Sequence, residues 1–258
     1  MELPIKNHKR KTMHPAYQQV AHRPWPLPTR RPLLSQVWNN LLFIHWRMDL
    51  GQVRQVVPEP LEIDTFNGEA WIAIVPFDMK GVTFYGLPPI SKLSDFPEIN
   101  VRTYVKFDNK PGVWFFSLDV PSKLAVWSAR TFFHLPYRYA EVDVTEQGER
   151  IHYQHKMNDN IEFEAYYHPT DPADAKTDSF ETWATERYCL YCQSKAGHIY
   201  RTEVQHPKWP LYKAELNLVS NRLLKNWHVG EQHPSVLFSK HIDVLAYTPE
   251  RIKTQATV

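Results

Sequence analysis

Glycine is scarce in this chain, with 8 residues against 21 prolines. A phosphate-cradling loop draws on glycines placed before a helix, and no P-loop, dinucleotide-binding fingerprint or G-x-S-x-G elbow is present. Nucleotide cofactors are therefore not expected, and no other cofactor is implied. Cysteine is nearly absent: Cys189 and Cys192 form one C-x-x-C pair with no second pair to complete a zinc site. On a strand, residues three apart face opposite sides, so the two are read as ordinary thiols. The 13 histidines are scattered, without H-E-x-x-H spacing, and no metal is expected. No sign of charge dominates either. Lys plus Arg number 30 against 28 Asp plus Glu, a net of +2 that argues against nucleic acid as a partner. A run of about 18 apolar residues, as a membrane helix needs, does not occur. The N-terminal stretch has no apolar segment of the secretory kind. No membrane partner and a cytoplasmic setting with reduced thiols are the expectations.

What the chain has is aromatic and apolar mass, 14% and 43% of residues, enough for one sizeable core. Residues 1–31 are rich in Lys, Arg, His and Pro. They read as a basic arm for an anionic surface or partner, or more simply as a solvated tail over the domain. Residues 32–250 show no linker and are taken as a single domain, followed by a tail at 251–258. The expected order begins with a short helix over 33–42, a strand over 42–46 and a helix over 50–57 that stops at Pro58. Strands follow at 71–75, 100–107 and 113–118, the last two joined by a turn at Asp108–Gly112. A helix over 123–133 closes at Leu135-Pro136. Further strands are expected at 139–145, 150–156 and 161–167, with a polar loop at 170–179. A hairpin over 183–206, a strand then helix over 214–227 and a late strand over 236–247 complete the pattern. Many antiparallel strands with few helices favour a closed or nearly closed β structure.

One polar set stands out from the aromatic background: Arg47, Glu98, Arg102, Arg130, Tyr137 and Arg138, with His45 and His134 near the same segments. Glu98, Asn100, Arg102 and Tyr104 share strand parity and would share a face if the strand starts by Glu98. That face is either the polar lining of a pocket for a carboxylate, which the planar fork of arginine suits, or a solvent-exposed face with surface ion pairs.

The motifs resemble a known family. Trp46-Arg47-Met48-Asp49 followed by VRQVVPEPLEID (Val53 to Asp64) is similar to the N-terminal signature of acetoacetate decarboxylase. Phe96-Pro97-Glu98 resembles the entry to that family's glutamate-bearing strand. Leu118-Asp119, then Arg130 six residues before Pro136, resembles a third patch. From about residue 32 to about 245 the chain looks closest to a YqjF-like branch of uncharacterised bacterial proteins. The segments that carry this are FIHWRMD (Phe43 to Asp49), GEAWIAIVPFDM (Gly68 to Met79), LSDFPEINVRTYV (Leu93 to Val105), GVWFFSLD (Gly112 to Asp119), FHLPYRYAE (Phe133 to Glu141) and HPKWPL (His206 to Leu211).

The resemblance implies an α+β, mainly antiparallel fold: a cone-shaped β-barrel with a few short helices and an interior pocket. It implies that Arg47 and Glu98 face that pocket. It puts Tyr137 where the decarboxylase has its Schiff-base lysine and Arg138 where it has the neighbouring lysine. A phenol forms no iminium, and a guanidinium stays protonated, so Schiff-base decarboxylation is not expected. Two functions remain open beside a structural or assembly role in which the Arg and Glu residues form a buried ion-pair network. One is a lyase, hydratase or hydrolase without a covalent amine, in which Arg138 acidifies the Tyr137 phenol, Glu98 is the base, and Arg47 or Arg130 holds a substrate carboxylate or oxyanion. The other is a non-catalytic module that binds a small molecule. Relatives assemble into large oligomers and edge strands invite pairing, so a homo-oligomer is left open.

Overall fold

A computed structural model describes residues 13–89, 94–230 and 232–253 of the chain. The first part of the basic arm and most of the C-terminal tail thus lie outside the described residues. Strands dominate: β1 (Leu34–Met48), β2 (Glu62–Ile63), β3 (Ala70–Phe84), β4 (Phe96–Phe107), β5 (Lys110–Val120), β6 (Tyr137–Tyr139), β7 (Glu141–Gln147), β8 (Arg150–Met157), β9 (Asn160–Pro172), β10 (Cys189–Gln193), β11 (Ile199–Gln205), β12 (Tyr212–Asn221), β13 (Ser235–Ala246) and β14 (Glu250–Arg251). The helices α1 (Leu50–Val56), α2 (Lys123–Ser128) and α3 (Phe180–Thr185) are short. None is long and apolar enough to cross a membrane.

The strands β11, β10, β5, β4, β3, β1 and β13 are hydrogen-bonded in that order, and β11 pairs again with β13, so they close into a ring. Most pairings are antiparallel, but β10 and β6 each run parallel to β5. A flanking antiparallel sheet continues from β13 through β12, β9 and β8 to β7. Its residues Ile151, Tyr153, Phe163, Ala165 and Tyr167 are buried in one apolar cluster with Leu42, Ile44, Ile72, Ile74, Ile99 and Val101 of the ring. Burial of such side chains contributes about 1.5–3 kcal/mol each. The opposite face of the same ring strands is buried as well, through Phe43, Ala73, Val75, Phe77, Tyr104 and Leu118. Apolar groups on both faces explain why β1 and β3 lack the apolar-polar alternation that β4 keeps.

The expected helix over 33–42 is instead the first part of β1, paired on one side with β13 and on the other with β3. Consecutive buried Leu41, Leu42, Phe43 and Ile44 need two apolar surroundings, which a central strand supplies and a surface helix does not. The expected strand from 183 starts only at Cys189. Residues before it form α3, whose N-cap Ser179 accepts from Thr182 N. After β12 the chain makes turns at 223–226 rather than a helix. The helix α2 runs into a π-turn, Ala129–Phe133, that stops at His134 in the left-handed region, φ 56°.

The described part of the arm is not a solvated tail. Arg23 is buried; it donates to Val204 O at 2.6 Å and pairs with Glu203 at 2.5 Å. Trp25 Nε1 donates to Glu203 at 2.8 Å, and Gln205 Nε2 donates to Ala16 O at 2.9 Å. The arm thus adds partners to the buried polar groups of β11, Glu203 and Gln205, and Trp25 packs against the core.

Candidate functional site

The strand β4 starts at Phe96, so Glu98, Asn100, Arg102 and Tyr104 have one parity and their intervening residues the other. Register places Asn100 opposite Leu118 on β5, and Leu118 opposite Tyr137 on β6. Directly paired residues point the same way, so Tyr137 projects to the Glu98 face. Its hydroxyl donates to Glu98 Oε2 at 2.6 Å, and Asn100 Nδ2 lies 3.4 Å from Glu98 Oε1. Glu98 is 2% exposed. Burial pushes its carboxyl up to about 7, against the pull of the Tyr137 and Asn100 hydrogen bonds. Burial and the Glu98 carboxylate push the Tyr137 phenol well above its usual value.

Arg138 faces the other way. Its register partner is Asp119, and Nε and Nη2 grip the two Asp119 oxygens at 2.7 Å each. Beyond Asp119 lies the fully buried His155, with Nε2 3.1 Å from Oδ2. Burial raises the Asp119 carboxyl, but His155 and the two Arg138 bonds together outweigh it and hold it below its ordinary value. The expectation that Arg138 acidifies the Tyr137 phenol is therefore corrected. Neighbouring residues on a strand point to opposite faces, and this guanidinium already has a bidentate carboxylate.

A second polar group occupies the Glu98 face further along β4. Buried His45 on β1 has Nε2 2.6 Å from Tyr104 Oη. Burial, with Arg102 nearby, pulls the imidazole down to about 3, so it is neutral at physiological pH. The Arg102 guanidinium carbon stands 5.3 Å from the Phe43 ring and 6.0 Å from the Tyr104 ring. Among the described residues no carboxylate lies within ion-pair distance of Arg102, and its buried Nε has no hydrogen-bond partner. Arg187 stacks on Tyr104 and Trp183 at 4.9 and 4.5 Å and pairs with Asp64. The α3 aromatics cover this group: Phe180 packs 4.3 Å from Trp71 and 5.2 Å from His45, and Trp183 packs 4.5 Å from Tyr104.

Of the residues singled out from sequence, Glu98 and Tyr137 are in direct contact, and His45 and Arg102 meet at Tyr104. Arg130 is exposed and acts on the backbone, its Nε donating to Tyr137 O at 2.6 Å. Arg47 is exposed, its guanidinium 5.6 Å from the Trp71 ring. His134 stands apart, 4.6 Å from the Tyr200 ring. Asn100, Tyr104, Asp119 and Arg187 were not singled out as site residues. Parity with Glu98 was signal enough for the first two. Arg187 and Asp64 are 123 residues apart and carry no local pattern that joins them. Among the clefts on the described surface, one lies beside Arg138 and another between the arm and Tyr247. Neither is lined by Glu98 or Tyr137.

The fold is similar to that of solved structures at low identity. Acetoacetate decarboxylase from Legionella pneumophila superposes with a TM-score of 0.65 over 89% of this chain and 92% of that one, at 14% identity. The enduracididine biosynthesis enzyme MppR complexed with pyruvate gives 0.62 over 87% and 92%, at 10% identity. In sequence, the uncharacterized protein YqjF of Bacillus subtilis is 40% identical over 218 residues, 83% of this chain and 90% of that protein. The cone-shaped, mainly antiparallel arrangement expected from the motifs is thus the one these structures share. Residues 35–243 match the model of an uncharacterized conserved protein family, and the chain belongs to that family, DUF2071.

Proposed function

We propose that the Glu98 face of the ring binds a small carboxylate or carbonyl compound and exchanges protons with it through Glu98 and Tyr137, without a covalent amine. The observation that carries this reading is the 2.6 Å bond between the Tyr137 hydroxyl and a buried Glu98 whose carboxyl is pushed up to about 7. A carboxyl poised there is split between its two forms at neutral pH, so it can take a proton and return it. Tyr137 serves as a neutral donor to a developing oxyanion, since its phenol holds its proton. Arg102 supplies a cation that no described carboxylate neutralises, suited to an acidic group of the ligand. By resemblance Tyr137 stands in the place of an amine, and a phenol cannot form an iminium, so the chemistry is of lyase, hydratase or hydrolase type. A protein of this fold that holds pyruvate is in keeping with a keto acid or related compound as the ligand.

The test is turnover of a panel of keto acids, enols and esters by the wild type, Glu98→Gln and Tyr137→Phe. Turnover lost in both variants, with folding intact, supports the reading. Turnover retained in both ends it.

A second reading is a non-catalytic binding module, favoured by the way Glu98 and Tyr137 satisfy each other and by the aromatic cover from α3. Saturable stabilisation by a panel member with no turnover selects it, because a ligand bound by the native state alone raises stability.

A further inference from the structure

The Asp119 face of β6 borders a cleft of about 380 Å³ that the acid–base site does not use. Three separate segments build it. Arg138 comes from β6, Asn158 and Glu162 come from the β8–β9 hairpin, and Arg222 and Lys225 come from the turn after β12. The hairpin turn is tight, with Asn158 and Asp159 both in the left-handed region at φ 49° and 62°. The turn after β12 is tied to β9 by Arg222 N donating to Glu162 O at 2.7 Å.

The charge in this cleft is unbalanced. Arg222 Nε lies 3.9 Å and Lys225 Nζ 3.5 Å from Glu162, which is the one carboxylate in the lining. Arg138 is engaged by Asp119 through Nε and Nη2, and its other amino group makes no hydrogen bond among the described residues. Three cationic heads therefore share two carboxylates, one of them beneath the floor. The Arg222 and Lys225 side chains are 56% and 54% exposed, so they are open to an incoming anion.

We propose that this cleft binds a small phosphate monoester, independently of the Glu98 face. A monoester carries close to two negative charges at neutral pH and three acceptor oxygens. That matches three cations supplied by two segments, with amide side chains such as Asn158 in the same lining. A monocarboxylate offers one charge and two oxygens, which a single arginine already satisfies. The volume lies within the range of small-molecule sites and exceeds what a bare phosphate fills. The remaining space, against Met157 and Leu223, is for the organic part.

Titration calorimetry at low salt tests this with glucose 6-phosphate, inorganic phosphate and uncharged glucose as probes. Glucose 6-phosphate should bind saturably, glucose should not bind, and inorganic phosphate should bind about tenfold more weakly than the ester. The Arg222→Ala/Lys225→Ala double variant should weaken the ester at least tenfold, while Glu162→Gln should tighten it. No saturable binding, equal binding of ester and free phosphate, or an unchanged affinity in the double variant would overturn the proposal. Amide chemical-shift mapping on the wild type answers the question if the double variant fails to fold. Ester-induced shifts should cluster at 157–162 and 222–226, and shifts confined elsewhere would overturn it.

Discussion

Tyr137 and Glu98 are 39 residues apart in the chain and joined by a hydrogen bond of 2.6 Å. The phenol is the donor, since its own proton is held well above the usual range. The bond thus favours the charged form of a carboxyl that burial pushes the other way.

Removing that donor should leave Glu98 less acidic still. In Tyr137→Phe the Glu98 carboxyl should titrate above the wild-type position of about 7. The unpaired buried group should cost about 1–3 kcal/mol of stability. Carbon-13 titration of the glutamate side chain and urea unfolding check the two effects.

Glu98 also sets a pH dependence of stability. Its carboxyl is raised from 4.5 to about 7 in the folded chain, so the native state holds the proton more tightly than the unfolded one. The contribution is fully present below about pH 4.5 and is lost as pH rises through 7, on the order of 3 kcal/mol in all. His45 has the opposite sign, because its imidazole is lowered from 6.5 to about 3 and its contribution is lost as pH falls. Subtracting the Glu98→Gln profile from that of the wild type isolates the Glu98 slope. A flat difference between pH 4.5 and 7 would show that the carboxyl is not perturbed.

Gly112 admits no side chain. A Cβ there would lie 2.3 Å from Cys189 O and 2.7 Å from Cys189 Cβ. Gly112→Ala should separate β5 from β10 and destabilise by about 3 kcal/mol or more, at the upper end of overpacking effects. Because the closest atom is a backbone oxygen, adding Cys189→Ala should restore little. Unfolding midpoints of the single and double variants decide this.

Arg23→Ala should remove the buried anchor of the arm from Glu203 and Val204 O. Glu203 keeps Lys110 at 2.9 Å and Trp25 at 2.8 Å, so the loss should be about 2–4 kcal/mol, at or below that of breaking an isolated buried pair. Limited proteolysis should cut the variant within 13–33 sooner than the wild type.

The candidate site was partly legible in the sequence. Period-two spacing from Glu98 to Tyr104 identified one strand face, because β4 runs through all four residues without a break on its own side. The order of the motifs carried the fold, which no strand pattern alone would give. The orientation of Arg138 was missed because the strand was expected to begin at Tyr139 instead of Tyr137. Had Tyr137 been counted in, alternation would have sent its neighbour to the opposite side. The arm was misjudged on composition: its basic residues look solvated, yet Arg23 has a carboxylate 180 positions away. Such long-range pairings leave no periodic trace. The segment 33–42 misled because all of it but Gln36, Leu41 and Leu42 is only partly buried, so no clean apolar period marked its strand.

The ring is fastened unevenly. In strand register the β10–β11 hairpin pairs with β5 at two positions, Leu190 with Val113 and Tyr191 with Trp114, and with β13 at two, Val204 with Ala246 and Gln205 with Leu245. Its own two strands are tied by five. The hairpin is therefore the seam where the ring closes, and the Arg23 pair with Glu203 and the close approach of Gly112 to Cys189 both lie on it.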